Sequence, residues 1–527
     1  MEVELCMSKK IPFPQVSQTV SIPAPTGGLN TRSPLANMPE NFAVQLTNAI
    51  PTPLGISVRK GYKEFAAAAL SETFHSLIPY NGAGASPDRL FAAAGELIYD
   101  VLSGTPVLTL SGLSSDKFEY TQISTQGGQY LILSNGIDVP IIWDGIHWLI
   151  SSLVPSPAAP GEWHSSTVVL EDLINPIIHQ KRIWWVKKNS TRIVYSDINS
   201  IGGDLTSFDV GALLPRGGTI IDMVSWSSDN GSGMANRLAV VSSEGDVVIF
   251  DGSDPSDATA FSCSGSWSLN PPAYNRPFLK FDGEVFFFSN TGLYPLSSYL
   301  QNTTTTTPLS EHIRNTIGEV ARLFKGIHGF DMISVASENL LIVNIPQLAV
   351  DGNIQFVMNT TTLGWALFTG IPAVKWANLN GETYFISKNK IHHAFQGFKD
   401  DSTKSYTSII QQAFSTLGMS GANKHATLVR ANLISGSSNI NLKIAIKTDF
   451  DISAPDNVPS VVPQVASLWD SSYWDGNNWG SDTVALSRWN GTNAYGVFHS
   501  VILVLQAESE TIFTSSDLVF QVGGIIS

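Results

Sequence analysis

The chain has 527 residues, of which 43% are hydrophobic and only 14% charged, with 43 Gly and 28 Pro; this balance excludes a single hydrophobic core and predicts two or three turn-rich β domains. A net charge of −14 argues against sequence-independent nucleic-acid binding, which needs clustered Lys and Arg. Two cysteines, Cys6 and Cys263, exclude a disulfide framework and Cys-rich zinc sites, and neither a signal peptide nor a membrane span of roughly 20 apolar residues is expected.

Residues 1–65 carry Pro12, Pro14, Pro23, Pro25, Pro34, Pro39, Pro51 and Pro53 and read as an extended N-terminal arm. Within it, Asn37-Met-Pro-Glu-Asn offers a cap and an early proline, which predicts about two helical turns from Phe42 to Ala49. From 66 to 400 one theme recurs. An apolar strand meets a Gly- or Asn-containing turn and a second apolar strand follows, with starts at Leu90, Tyr130, Arg182, Leu238, Glu284, Leu340 and Thr383. These intervals suit propeller blades of ~40–50 residues, so a β-propeller-like domain of six or seven blades is expected, with a meandering β-sandwich as the alternative. A helical insertion interrupts the series near 308–327. There Ser310 can cap, Glu311 suits the positive end, and Ile313, Ile317, Val320 and Phe324 line one face.

Residues 401–527 predict a C-terminal β-sandwich-like domain, making the chain all-β with few short helices. Ile440, Leu442, Ile444 and Ile446 alternate with polar or small residues, Leu518, Phe520 and Val522 form another alternating set, and Val501 to Leu505 is apolar throughout. A loop at 468–490 carries Trp469, Trp474, Trp479 and Trp489, residues suited to local packing, a subunit or partner interface, or sugar stacking. From Asp449 onward nine acids face one base, Arg488, which reads as a solvated acidic face or a surface that repels polyanions.

The motifs of catalysis are absent: no phosphate-binding loop, dinucleotide fingerprint, zinc-protease helix or nucleophile elbow occurs. No catalytic, cofactor-binding or metal-binding residue is therefore expected, and the chain reads as a non-enzyme. Ser227-Ser-Asp-Asn-Gly231 is similar to the front of the Asp-box turn of sialidase-like propellers, but it occurs once and lacks the trailing aromatic residue. His392 and His393 are adjacent on a predicted strand, so they point to opposite faces and make a poor joint site.

Three segments, in order, carry a family resemblance. Ile22-Pro-Ala-Pro-Thr-Gly-Gly-Leu-Asn-Thr-Arg-Ser-Pro-Leu-Ala-Asn-Met-Pro, followed by Ala49-Ile-Pro-Thr-Pro-Leu-Gly-Ile-Ser-Val-Arg-Lys-Gly-Tyr62, resembles the opening of tail proteins from short-tailed bacteriophages. Leu90-Phe-Ala-Ala-Ala-Gly-Glu-Leu-Ile-Tyr-Asp resembles their first propeller strands, and Leu468-Trp-Asp-Ser-Ser-Tyr-Trp-Asp-Gly-Asn-Asn-Trp-Gly their C-terminal Trp-Asp-rich segment. The chain thus resembles the tail nozzle, or tail tubular protein B, class. The resemblance implies a homohexameric ring below the tail adaptor in the virion. Genomic DNA would pass through it without sequence-specific binding, tail fibres or spikes would be neighbours, and assembly would take place in the bacterial cytoplasm. The alternatives are a carbohydrate-binding or glycoside-processing propeller, for which the tryptophan loop is the best support, and a protein-binding propeller scaffold.

Overall fold

The computed structural model describes residues 17–525 except 68–71, 84–85, 151–159, 230–233, 258–259, 301–306, 325–326, 348–351, 437–439 and 454–483. The chain forms two compact units. One takes residues up to Gly28, Ser33–Val58 and Thr407 onward; the other takes Leu29–Arg32 and Arg59–Tyr406. In sequence, the second unit is an insertion within the first.

The inserted unit holds seven antiparallel groups of three or four strands among the described residues, and a parallel pair, Trp163–His164 with Gly203–Asp204. The first strands of the seven groups are Phe74–Tyr80, Glu119–Thr125, Leu173–His179, Ile220–Asp229, Phe278–Phe281, Asp331–Val335 and Lys375–Leu379. Each first strand packs against the first strand of the next sheet, and the seventh returns to the first. A closed circuit of inner strands, each opening a meander that runs outward, is a seven-bladed propeller. The outermost strand of blade seven is Tyr62–Ala67, from the N-terminal side of the ring, paired antiparallel to Lys390–Ala394. Arg59 lies where the chain enters this unit, buried and in bidentate contact with Asp400 at 2.8 and 2.6 Å. The Tyr406 ring lies 3.8 Å from its guanidinium, so one buried clasp ties entry to exit.

All seven predicted hairpin starts fall on or within the second strand of a blade: Arg89–Ala94, Gly128–Ser134, Arg182–Lys187, Met234–Ser242, Glu284–Ser289, Leu340–Ile345 and Glu382–Ser387. The reason is burial. A second strand is sandwiched between neighbouring blades, so Leu90–Ala94 and Leu340–Ile345 are buried without a break. Outer strands such as Val107–Ser111 meet solvent and lose that signature.

Blade five has three strands among the described residues, and the helix Arg314–Leu323, preceded by a 3-10 turn at Glu311–Ile313, packs on its third, Gly292–Pro295. Ile313, Ile317 and Ala321 form the helix's buried face. Ser310 precedes the turn without capping it; its hydroxyl accepts the Leu293 N–H at 3.0 Å instead.

The other unit is a β-sandwich. In one sheet Thr511–Ile525 pairs with Ser17–Pro23, Gly55–Val58 and Ala422–Ser435, while Ala49–Thr52, Val484–Ser487 and Asn490–Gly496 extend it. In the other, Ala43–Thr47, Ser408–Gln412, His499–Ala507 and Ile440–Thr448 pair in that order. Ile440, Leu442, Ile444 and Ile446 are all buried, in keeping with their period-2 pattern. Gln412 ties the sheets together: fully buried, it donates to the Pro23 carbonyl at 2.8 Å and accepts from Ser516 Oγ at 2.6 Å.

Two expectations need correction. Described residues 17–65 are not an extended arm but four strands of the sandwich, one 3-10 turn and the closing strand of the propeller. Prolines misled because Pro23 and Pro51 stand within strands rather than between domains. Phe42 to Ala49 is not helical. Ala43–Thr47 is a strand whose Leu46 is buried, and pairing with Ser408–Gln412 overrides the local cap signal.

Candidate functional site

Inner strands of a propeller run in one direction, so their N-terminal ends converge at one mouth of the central channel. Here those ends carry polar residues: His75 and Ser76, Glu119 and Tyr120, Asn175, Asp222, Tyr274 and Arg276, His328 and Asp331, and Lys375. Five of them form a chain of alternating charge. Lys375 Nζ lies 3.2 Å from both Asp331 Oδ1 and Glu119 Oε1. Arg276 Nη1 meets Glu119 Oε2 at 3.0 Å, and its Nε lies 4.0 Å from Asp222 Oδ1. The chain Asp222–Arg276–Glu119–Lys375–Asp331 thereby links blades four, five, two, seven and six. A cavity of about 330 Å³ opens beside it, lined by these groups except Asp222 and also by Tyr120, Tyr274, Trp376 and Asn378.

Three acids share two cations, and the electrostatics reflect the imbalance. Burial pushes Glu119 up, but Lys375 and Arg276 overcome it and hold the carboxyl below its ordinary value. Burial would lower Lys375, yet Asp331 and Glu119 raise it; Arg276 is likewise raised by Glu119 and Asp222 against its burial. Asp331 goes up, because burial outweighs its Lys375 contact. Asp222, only 1% exposed, is pushed up by burial to about 7, and Oδ1 has no hydrogen-bond partner among the described residues. The surplus acid is thus the member that titrates near neutrality. Burial also drives Tyr120 up to about 12.

His75 Nδ1 meets Asp116 Oδ2 at 2.7 Å, and the same oxygen accepts the Gly95 N–H at 2.6 Å. Burial raises Asp116, but these hydrogen bonds prevail and hold it below the usual range. Ser76 Oγ donates to the Asp116 carbonyl and accepts the Phe118 N–H, each at 2.7 Å. Its contacts are with backbone, not the histidine, so this set of residues fastens blades one and two. His328 Nε2 donates to the His75 carbonyl oxygen at 3.1 Å, and burial pushes the imidazole down to about 4, which keeps it neutral.

Of the four predicted tryptophans, Trp469, Trp474 and Trp479 lie outside the described residues. Trp489 is half-buried, with the Arg430 guanidinium 4.5 Å from its ring centroid. Arg430 Nε in turn donates to Asp517 at 2.6 Å. His392 is buried and stacked on Phe385, whereas His393 stacks on Tyr384 and meets Glu382 at 2.7 Å, so the pair is divided between faces. Ser227 Oγ donates to Asn236 at 2.6 Å across a strand pair whose turn lies outside the described residues. The five-charge chain was not foreseen, because its members are dispersed from 119 to 375 with no fixed spacing.

Among the described residues no group of His, Cys, Asp and Glu could hold a metal ion, and no helix is long and apolar enough to cross a membrane. No family model and no curated protein matches the chain. Similar solved structures include BBS1N in complex with ARL6DN, at 12% identity and a TM-score of 0.40 over 64% of this chain and 96% of that one. YCF48 bound to a D1 peptide is similar at 11% and 0.36, over 64% and 96%. YCF48 from Cyanidioschyzon merolae follows at 10% and 0.35, over 63% and 98%. The propeller is defined by its closed circuit of inner strands. That circuit and the two paired sheets define the class: an all-β protein with a seven-bladed propeller inserted into a β-sandwich.

Proposed function

We propose that the chain is a structural, non-catalytic component of a bacteriophage short tail, forming a homohexameric nozzle ring below the adaptor around the DNA ejection channel. The observation that carries this reading is where the segment resembling tail proteins sits. Ile22 to Tyr62 supplies strands to the sandwich and leads directly into the strand that closes the propeller. A segment with that many structural roles constrains the whole architecture, so likeness there bears on more than a terminal arm. The net charge of −14 also suits a conduit that must release a polyanion. In this role the adaptor, fibres or spikes are neighbours in the virion tail, and the propeller is a scaffold.

Light scattering and negative-stain images of the full chain, alone and with the adaptor, test the proposal. Six-fold rings with six times the 56.8 kDa chain mass are expected. Monomers alone, at every salt concentration and with adaptor present, would overturn it.

A further inference from the structure

A second cleft, of about 540 Å³, lies within the propeller unit and is built with the opposite electrostatic bias. Its lining is Arg32, Asn290, Thr291, Arg314, Asn315, Gly318, Glu319 and Arg322, three guanidiniums against one carboxylate, in a chain whose net charge is −14. The construction is specific. Arg314, Gly318 and Arg322 are spaced by four on the helix Arg314–Leu323 and share one face. Gly318 lets that face touch the Asn290 turn, since a Cβ there would stand 2.4 Å from the Asn290 carbonyl oxygen. Arg32 arrives on the short segment Leu29–Arg32, which is sewn to the helix start. Thr31 and Arg32 N–H groups donate to the His312 carbonyl at 2.9 and 3.2 Å, and Thr316 Oγ1 meets Thr31 Oγ1 at 2.7 Å. Glu311 holds the Arg32 guanidinium in place. The side-chain oxygen of Asn290, a residue of the cleft wall, is buried with no hydrogen-bond partner among the described residues.

Arg314 and Arg322 are two helical turns apart, about 12 Å along the axis at ~1.5 Å per residue. That separation is too long for one compact carboxylate and suits an anion with charges repeated along its length. Guanidinium forks match phosphate oxygens in bidentate geometry. We propose that this cleft binds an extended run of phosphate groups, gripped by Arg314 and Arg322 with Arg32 alongside. The same chemistry is offered by linear polyphosphate and by a single-stranded nucleic-acid backbone. The inference needs only the cleft and stands whether or not the nozzle reading does.

The test is titration of the full chain with tripolyphosphate and, separately, with a labelled oligothymidylate, at about 20 mM and about 150 mM salt. Binding of at least one probe at low salt is expected, weakening as salt rises. The double variant R314Q/R322Q should lose about tenfold or more in affinity and show a flatter salt dependence. Glu319→Gln, which removes the one acid lining the cleft, should tighten binding, and this arm stands even if the double variant fails to fold. Preference for tripolyphosphate or for the oligonucleotide identifies the source of the phosphates. Binding of neither probe at low salt overturns the proposal, as does affinity unchanged in the double variant or in Glu319→Gln.

Discussion

Two charged systems of the propeller differ in the balance of their charges. At its entry, Arg59 and Asp400 are a balanced pair, with side chains 0% and 8% exposed. At its mouth, three acids share Arg276 and Lys375, and one of them, Asp222, is left at 4.0 Å from its cation with an oxygen that has no hydrogen-bond partner among the described residues. Asp222 is buried as deeply as the Arg59–Asp400 pair, with opposite consequences. A matched bidentate pair repays its desolvation through hydrogen bonds, whereas a surplus carboxylate stays a net cost whenever it is ionised. The clasp fixes where the chain enters and leaves; the five-charge chain ties five blades together and makes that tie sensitive to protons.

The comparison is broken most directly at the clasp. Asp400→Ala leaves the Arg59 guanidinium buried without its anion and should destabilise the propeller by about 3–5 kcal/mol, read as a lowered urea midpoint. Arg59→Met combined with Asp400→Leu should recover much of that loss; a double variant as unstable as the single one would show that the clasp is more than a charge pair. Lys375→Met leaves Glu119 to Arg276 alone and Asp331 without a cation. A loss of roughly 2–4 kcal/mol is expected at pH 8, shrinking toward pH 5 as the carboxyls take up protons.

Asp222→Asn sharpens the contrast, because here a substitution should stabilise. The Asp222 carboxyl stands at about 7 in the fold and near its ordinary ~3.9 in the unfolded chain. Between these values the folded state holds a proton that the unfolded state has released. Stability therefore declines as pH rises from about 4 to about 7 and stays reduced above. The variant should melt higher than the parent at pH 8 and level with it near pH 4; an equal gain at both would sink the assignment. The smallest effect is expected from Tyr406→Phe, which keeps the ring under Arg59 and removes the hydroxyl that donates to the Arg59 carbonyl. About 1 kcal/mol should be lost in the same urea assay.

The sequence was most legible where side chains report burial on both sides. Leu90, Tyr130, Arg182, Leu238, Glu284, Leu340 and Thr383 marked seven blades because each lies on the second strand of one. The closing strand Tyr62–Ala67 was illegible, since its residues Tyr-Lys-Glu-Phe-Ala-Ala reveal nothing of a partner at 390–394. The charge chain was hidden for a related reason. Glu119, Asp222, Arg276, Asp331 and Lys375 become neighbours only when inner strands converge, and a sequence scan weighs each as one more surface charge. Aligning the seven hairpins and stepping back one strand from each would have placed these residues at equivalent positions. Trp489 was legible as an aromatic worth noticing, but not as a ring covered by Arg430.

The closing strand also sets an order of events during synthesis. Tyr62–Ala67 emerges from the ribosome early, yet its partner Lys390–Ala394 follows only after more than 300 further residues. At roughly 5–20 residues per second, the strand must wait tens of seconds with an open edge. The sandwich waits longer still, since Ser17–Pro23 pairs with Thr511–Ile525 near the end of the chain. Both strands are thus made long before their partners, and a nascent chain stalled before residue 390 would expose an adhesive edge that the finished protein conceals.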